Sequence, residues 1–139
     1  MKITSKGRYG IKILLDLVKN SNENHWIKSK EISERQNIPI KYLEQIMNIL
    51  KKCGYVESSR GADGGYRLSK EPEAITLYEV LKCLEGDLSI LDPKSDISSG
   101  RAGLFWKEID EKIQEMLSIN LKEFLNKLEN QDDVFMYYI

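Results

Sequence analysis

The stretch from Ser29 to Leu68 constrains this chain more than any other. It reads S-K-E-I-S-E-R-Q-N-I-P-I-K-Y-L-E-Q-I-M-N-I-L-K-K-C-G-Y-V-E-S-S-R-G-A-D-G-G-Y-R-L. Two short helical patterns meet at a tight corner, Asn37-Ile38-Pro39, and two short strand patterns follow, joined by an arginine-led, glycine-rich loop. Helix, turn, helix and hairpin in that order describe a winged helix-turn-helix. A helix after a sharp corner suits the DNA major groove, and a basic hairpin beside it suits the backbone or minor groove. The expected fold is mainly α with a small β-wing.

Periodicity extends this reading in both directions. Ile11, Leu14, Leu15 and Val18 recur at i, i+3, i+4 and i+7, so a helix runs from about Ser5 to Lys19. A polar loop follows, and Trp26-Ile27 reads as a short edge strand closing the wing sheet. Ser29 is placed to cap the second helix, with Glu31 in its first turn. Pro39 suits the first turn of the third helix, which buries Leu43, Ile46, Met47 and Leu50 and ends at Gly54. Tyr55–Ser58 and Tyr66–Leu68 are strand-like. Thr76 and Glu79 form a capping box ahead of Leu77, Val80, Leu81 and Leu84, and this fourth helix stops at Gly86. From about Leu104 a long amphipathic helix carries Phe105, Ile109, Ile113, Met116 and Leu117 on one stripe. A capping signal at Asn120 opens a short helix with Leu121, Phe124 and Leu128. The implied organisation is a DNA-binding winged domain over residues 1–86, a linker or loop over 87–103, and a dimerisation helix with a C-terminal tail over 104–139.

Charge divides along the same line. The 139 residues carry a net charge of −1, yet residues 1–70 hold fourteen Lys/Arg against seven Asp/Glu, whereas residues 71–139 hold seven against fifteen. A basic half suits a polyanionic partner, and an acidic half suits another task. No apolar run approaches the roughly 20 residues that span a bilayer, and the first residues do not resemble an export leader. Cys53 and Cys83 therefore read as reduced cytosolic thiols rather than a disulfide frame. The chain has one histidine, His25, and no zinc spacing, so metal and catalytic readings are poor.

Three groups suit nucleic acid. The exposed positions of the third helix, Lys41, Tyr42, Glu44, Gln45 and Asn48, carry side chains that match base edges and phosphates. In the hairpin loop, Gly61, Gly64 and Gly65 permit close approach of backbone to phosphate, and Arg60 suits a narrow minor groove. Thr4, Ser5, Lys6 and Arg8 at the first helix N-terminus suit phosphate, although N-capping explains Thr4 or Ser5 as well. Ser29, at the start of the second helix, joins this set. At the far end, Val134–Ile139 is an apolar and aromatic tail, suited either to packing on its own dimer or to capture by a partner.

K-I-T-S-K-G-R-Y-G at the start, Y-L-E-Q in the third helix and R-G-A-x-G-G-Y-x-L in the wing resemble the Rrf-two family of winged-helix transcriptional regulators over essentially the whole chain. The resemblance implies a homodimer on palindromic double-stranded DNA operators, with Tyr42, Glu44 and Gln45 reading the groove and Arg60 serving as the wing arginine. Pro39 departs from the family, whose members often carry a Ser cap there. Many members hold an iron–sulfur cluster through three cysteines after the fourth helix. Leu88 to Leu104 contains neither Cys nor His, so a cluster-free member with no cofactor or metal is implied.

Cluster-free members include a repressor of cysteine metabolism, which this chain resembles further in its length and its Tyr-Tyr-Ile ending. That repressor works with O-acetylserine thiol-lyase, an enzyme that captures a C-terminal Ile of another partner in its active site. Tyr137, Tyr138 and Ile139 would form the equivalent partner-binding segment. The combined expectation is a cytoplasmic, dimeric, non-enzymatic repressor of cysteine or sulfur genes. The rivals are a thiol- or ligand-sensing regulator of other genes, and a protein-interaction module acting on a metabolic enzyme through its tail.

Overall fold

The computed structural model describes residues 1–91 and 100–135, with side chains through Asn130. The elements are α1 (Ser5–Asn20), α2 (Ser29–Gln36), α3 (Ile40–Lys52), β1 (Val56–Ser59), β2 (Gly65–Leu68), a 3-10 turn (Pro72–Ala74), α4 (Leu77–Glu85), α5 (Gly100–Leu117) and α6 (Leu121–Phe135). The expected order of helices and hairpin is present. The tail residues Met136–Ile139, and so the expected partner segment Tyr137, Tyr138 and Ile139, lie outside the described residues.

One core joins most of these elements. Ile13, Leu14 and Leu17 of α1, Ile32 of α2, Leu43, Ile46, Met47 and Leu50 of α3, and Val80 of α4 are fully or almost fully buried together. Helix α1 meets α4 at very close range because it presents glycines there. A Cβ on Gly10 would overlap Leu84 Cδ1, and one on Gly7 would stand 2.5 Å from Glu85 Oε1 and 3.1 Å from Leu81 Cδ2. Packing at interior density leaves no room for those atoms. Helix α6 returns to the same core through Leu121 and Leu125. It is anchored by paired backbone bonds, Leu77 N–H to Ile119 O at 3.0 Å and Leu121 N–H to Ile75 O at 2.9 Å. It is longer than the short helix read from the sequence, and its cap is as read, with Asn120 Oδ1 accepting from Glu123 N–H at 2.9 Å.

The corner between α2 and α3 has a specific chemical basis. Asn37 takes the left-handed conformation, φ 54 and ψ 49, which Asn tolerates better than other residues with a Cβ. Ser33 secures the turn, its Oγ donating to Ile38 O at 2.6 Å and its carbonyl accepting from Ile38 N–H at 3.1 Å. Ile38 itself is 2% exposed and pins the corner to the core. Pro39 occupies the cap position of α3 rather than its first turn, with φ −55 and ψ 132, and its carbonyl accepts from Leu43 N–H. Ser29 is not the cap of α2. Lys28 holds that position in extended conformation, and Ser29 makes no capping bond.

A buried carboxylate ties α1 to α2. Asp16 is 1% exposed. It accepts from Arg35 Nε at 3.0 Å and Nη2 at 2.8 Å, and from Gln36 Nε2 at 2.9 Å. Burial works to raise the Asp16 carboxyl. The Arg35 and Gln36 hydrogen bonds and the guanidinium charge outweigh it and hold the group below the usual carboxylate range.

The wing pairs Val56 with Leu68 through to Ser59 with Gly65. Trp26-Ile27 contributes the expected third strand as a single bridge, Ile27 N–H to Tyr66 O at 2.8 Å and Tyr66 N–H to Ile27 O at 2.7 Å. Gly65 is required there, because a Cβ would stand 2.5 Å from Ile27 O. Helix α5 begins at Gly100, four residues before the expected Leu104, and has only Gly103 buried. Asp110 attaches it to the segment after α4, accepting from Ile90 N–H at 2.9 Å and Ser89 Oγ at 3.3 Å.

The two cysteines correct the sequence reading. Cys53 and Cys83 are bonded to each other, with Cα atoms 6.5 Å apart, and are not free thiols. Their separation of thirty residues concealed the fact that α3 ends against the last turn of α4.

Removing the Arg35 guanidinium leaves Asp16 charged and unpaired. Arg35→Ala is expected to destabilise by about 2–4 kcal/mol in urea titration, under the 3–5 of a fully buried pair because the Arg35 side chain is 41% exposed. The Asp16 contribution is present above the ordinary carboxylate pKa and is lost as pH falls through its lowered value in the folded state. The stability gap between the native chain and Asp16→Asn is therefore expected to narrow in acid.

Candidate nucleic-acid interface

Helix α3 divides cleanly into two faces. Leu43, Ile46, Met47 and Leu50 point inward, while Lys41, Glu44, Gln45 and Asn48 are exposed. The spacing of the exposed four, with successive steps of three, one and three, places them on one side of the helix. The outward face therefore presents one ammonium, one carboxylate and two amides, a set able to donate to and accept from base edges.

Tyr42 sits at the boundary and connects this face to α1. Its hydroxyl lies 3.2 Å from Ser5 Oγ, and its ring meets Tyr9 edge-on with centroids 5.6 Å apart. The structure thus brings Ser5 and Tyr42, from two groups far apart in sequence, into direct contact. Arg8 is exposed and Lys6 half-buried on the same first turns.

The N-terminus of α1 is already occupied by an anion of the protein itself. Glu85, the last residue of α4, accepts through Oε1 from Thr4 N–H at 2.9 Å, Thr4 Oγ1 at 2.7 Å and Gly7 N–H at 2.8 Å. Thr4 makes no capping bond to its own helix. Burial works to raise the Glu85 carboxyl, but these donors and the nearby Lys6 charge hold it below its usual range. Sequence reading missed this carboxylate, which is 81 positions from Thr4. The available signal was indirect: glycines at 7 and 10 mark a face where another element must come close.

The wing is held by two further contacts that sequence reading missed. Lys28 Nζ donates to Ala62 O at 2.7 Å, drawing the loop toward the start of α2, where Ser29 sits half-buried. Arg67 lies 4.0 Å over the Trp26 ring and donates to Glu57 Oε1 and Glu23 O, each at 2.6 Å. Arg67 therefore braces the wing root, and Arg60, exposed at the start of the loop, is the arginine presented outward. Gly61 is exposed at the loop tip, Gly64 is buried beneath it, and Gly65 lies against Ile27 as described above.

With this geometry in place, known proteins locate the chain. The Rrf2 family model, an iron-dependent transcriptional regulator, matches residues 3–130. The chain belongs to the Rrf2 family. It is 36% identical to the transcriptional regulator CymR of Bacillus subtilis over 140 residues, covering all of both chains. It is also 36% identical to IscR of Vibrio cholerae over 131 residues, covering 90% of this chain and 75% of that one. The solved structure of B. subtilis CymR, the global cysteine regulator of that organism, superposes with a TM-score of 0.81, covering 91% of this chain and 98% of CymR. Staphylococcus aureus CymR superposes at 0.71 with 31% identity, covering 88% and 96%. These relatives are transcriptional regulators and not enzymes, and the winged helix-turn-helix expected from the sequence is the fold they share.

The iron of the family description would need suitable donors in this chain. Iron–sulfur clusters are held by several thiolates, sometimes with imidazole. This sequence has two cysteines and one histidine. The cysteines are bonded to each other, and His25 is exposed in the loop before Trp26. No group of three or more metal-ligating side chains occurs among the described residues. The donor set does not fit a cluster. Among the described residues, no helix is long and apolar enough to cross a membrane.

Because Glu85 accepts three hydrogen bonds at a partly exposed site, Glu85→Ala is expected to lower stability by about 1–2 kcal/mol. Loss of the clamp should also free the first turn of α1, read as faster amide exchange at Gly7 and Arg8 than in the native protein.

Proposed function

We propose that this member of the Rrf2 family is a dimeric, cluster-free repressor that binds palindromic DNA upstream of cysteine or sulfur genes. The observation that carries the DNA-binding part is the exposed polar face of α3, flanked by the Ser5–Tyr42 contact and by a wing tied back through Lys28. In this reading Lys41, Tyr42, Glu44, Gln45 and Asn48 lie in the major groove. Arg60 and Gly61 follow the adjacent backbone or minor groove, Gly64 and Gly65, expected to contact DNA, instead shape the packed turn beneath them, and Ser5, Lys6 and Arg8 meet phosphate. Thr4 and Ser29 play a supporting part, since Thr4 is engaged by Glu85.

The dimer is supported by α5. Leu104, Phe105 and Met116 are 69, 57 and 79% exposed, an uncovered apolar helix face. Its expected stripe of Phe105, Ile109, Ile113, Met116 and Leu117 would be buried against a second copy, giving the two-fold symmetry that a palindrome requires. Control of cysteine genes is supported by likeness to CymR along the full length. The binding of O-acetylserine thiol-lyase by Tyr137, Tyr138 and Ile139 rests on sequence resemblance alone.

If the dimer neutralises about six to ten phosphates, affinity for its operator should fall by roughly 10³–10⁵ between 50 and 200 mM salt. Lys6→Ala is expected to shallow that salt slope on every sequence, whereas Gln45→Ala should relax base preference by about 1–3 kcal/mol at one position. Fluorescence anisotropy across a panel of operator variants checks both. Ile109→Asp should leave a monomer in sedimentation velocity, because an unpaired charge in an apolar seam is strongly disfavoured. Deleting Ile139 should weaken O-acetylserine thiol-lyase binding at least tenfold in calorimetry and leave DNA affinity unchanged.

A further inference from the structure

The Cys53–Cys83 bond joins two elements that the core already holds together. Ile46 and Leu50 of α3 and Val80 and Leu84 of α4 belong to one buried cluster, so apolar packing joins the two helices alongside the crosslink. The bond is also accessible: Cys53 is exposed and Cys83 half-buried. Its position is specific. Cys53 is the C-terminal cap of α3, and the chain turns at Gly54, φ +85, directly into the wing through Tyr55 and β1. Cys83 lies two residues before Glu85, the carboxylate that clamps the first turn of α1. One covalent link therefore meets the junction between the reading helix and the wing on one side. On the other side it meets the turn of α4 that holds the third candidate DNA contact.

We propose that Cys53 and Cys83 form a reversible redox pair that exchanges with small-molecule thiols and disulfides, and that its closed state holds the α3–wing junction in its DNA-reading arrangement. Exposed disulfides are the labile ones, and exchange requires access to a sulfur. In closure, one protein thiolate attacks a small-molecule disulfide, giving a mixed disulfide and releasing one small thiolate. The second protein thiolate attacks the protein sulfur of that mixed disulfide, forming Cys53–Cys83 and releasing the second small thiolate. The two protein thiols lose two electrons and two protons, and the small disulfide accepts the electrons and leaves as two thiols. Opening is the reverse, with a small thiol as reductant.

Closure removes conformational freedom at the junction, so the closed form meets DNA already arranged and loses less freedom on binding. The DNA consequence rests on the proposed function; the thiol chemistry does not. The full-length protein would be equilibrated with mixtures of reduced and oxidised glutathione, alkylated and weighed. Two thiols should open in excess reduced glutathione and close to the internal disulfide in excess oxidised glutathione. Amides of residues 51–57 should exchange at least tenfold faster in the open form, and Cys53→Ser should match the open form under both conditions. The closed form should bind promoter DNA at least fivefold more tightly than the open form. A bond that resists millimolar glutathione, a stable mixed disulfide in place of the internal one, or unchanged amide exchange would overturn the switch. Equal DNA affinities, or tighter binding by the open form, would overturn its role in reading DNA. Absence of DNA binding in both forms would instead remove the proposed function while leaving the thiol result standing.

Discussion

The close approach of α1 to α4 sets the geometry of everything that faces outward. Two glycines, Gly7 and Gly10, let α4 reach the α1 backbone, where Leu84 fills the space and Glu85 closes over the first turn. With α1 so fixed, Ser5 and Tyr9 meet Tyr42, and the first turn of α1 is aligned with the start of α3. The helix-turn-helix is therefore held from behind by a helix that follows it in sequence, and not by its own short corner alone. A bulkier residue at Gly10 would push α4 away and release both the clamp and the alignment.

Polar groups complete this frame where apolar packing is least specific. Asp16 is almost fully buried yet fully engaged by Arg35 and Gln36, which fixes α2 relative to α1. Buried pairs contribute little net stability compared with apolar packing, but losing one partner is costly. The wing root uses the same logic, with Arg67 stacked on Trp26 and paired with Glu57. The result is a basic half bearing the exposed polar face of α3, joined to α5, whose apolar surface is left uncovered.

Much of the fold was legible in the sequence because local signals there agree. The capping bond of Thr76 to Glu79 N–H, the turn at Gly54 and the stripe of α3 are all properties of a few adjacent residues. The same holds for the exposed set on α3, which follows from helical spacing once the buried stripe is known. What sequence reading missed depends on contacts across long separations. Glu85 lies 78 positions from Gly7, Lys28 lies 34 from Ala62, and Cys53 lies 30 from Cys83. No local pattern encodes those distances. The cysteines show the cost most clearly, since the lack of an export-like leader led to reading them as reduced thiols, whereas their helices end side by side and the two are bonded. Ser29 is a smaller case: a residue with the right chemistry for a cap was displaced by one position because Lys28 takes the extended conformation and turns its ammonium toward the wing.

In the proposed function, one surface, formed by the first turn of α1, the outer face of α3 and the wing loop, meets DNA. Amide chemical-shift mapping of the labelled protein during titration with promoter DNA tests it most directly. Shifts are expected to concentrate at residues 5–8, 41–48 and 60–65, with the exposed face of α5 unchanged. Shifts confined to α5 or α6, or spread evenly over the chain with residues 41–48 unaffected, would contradict it.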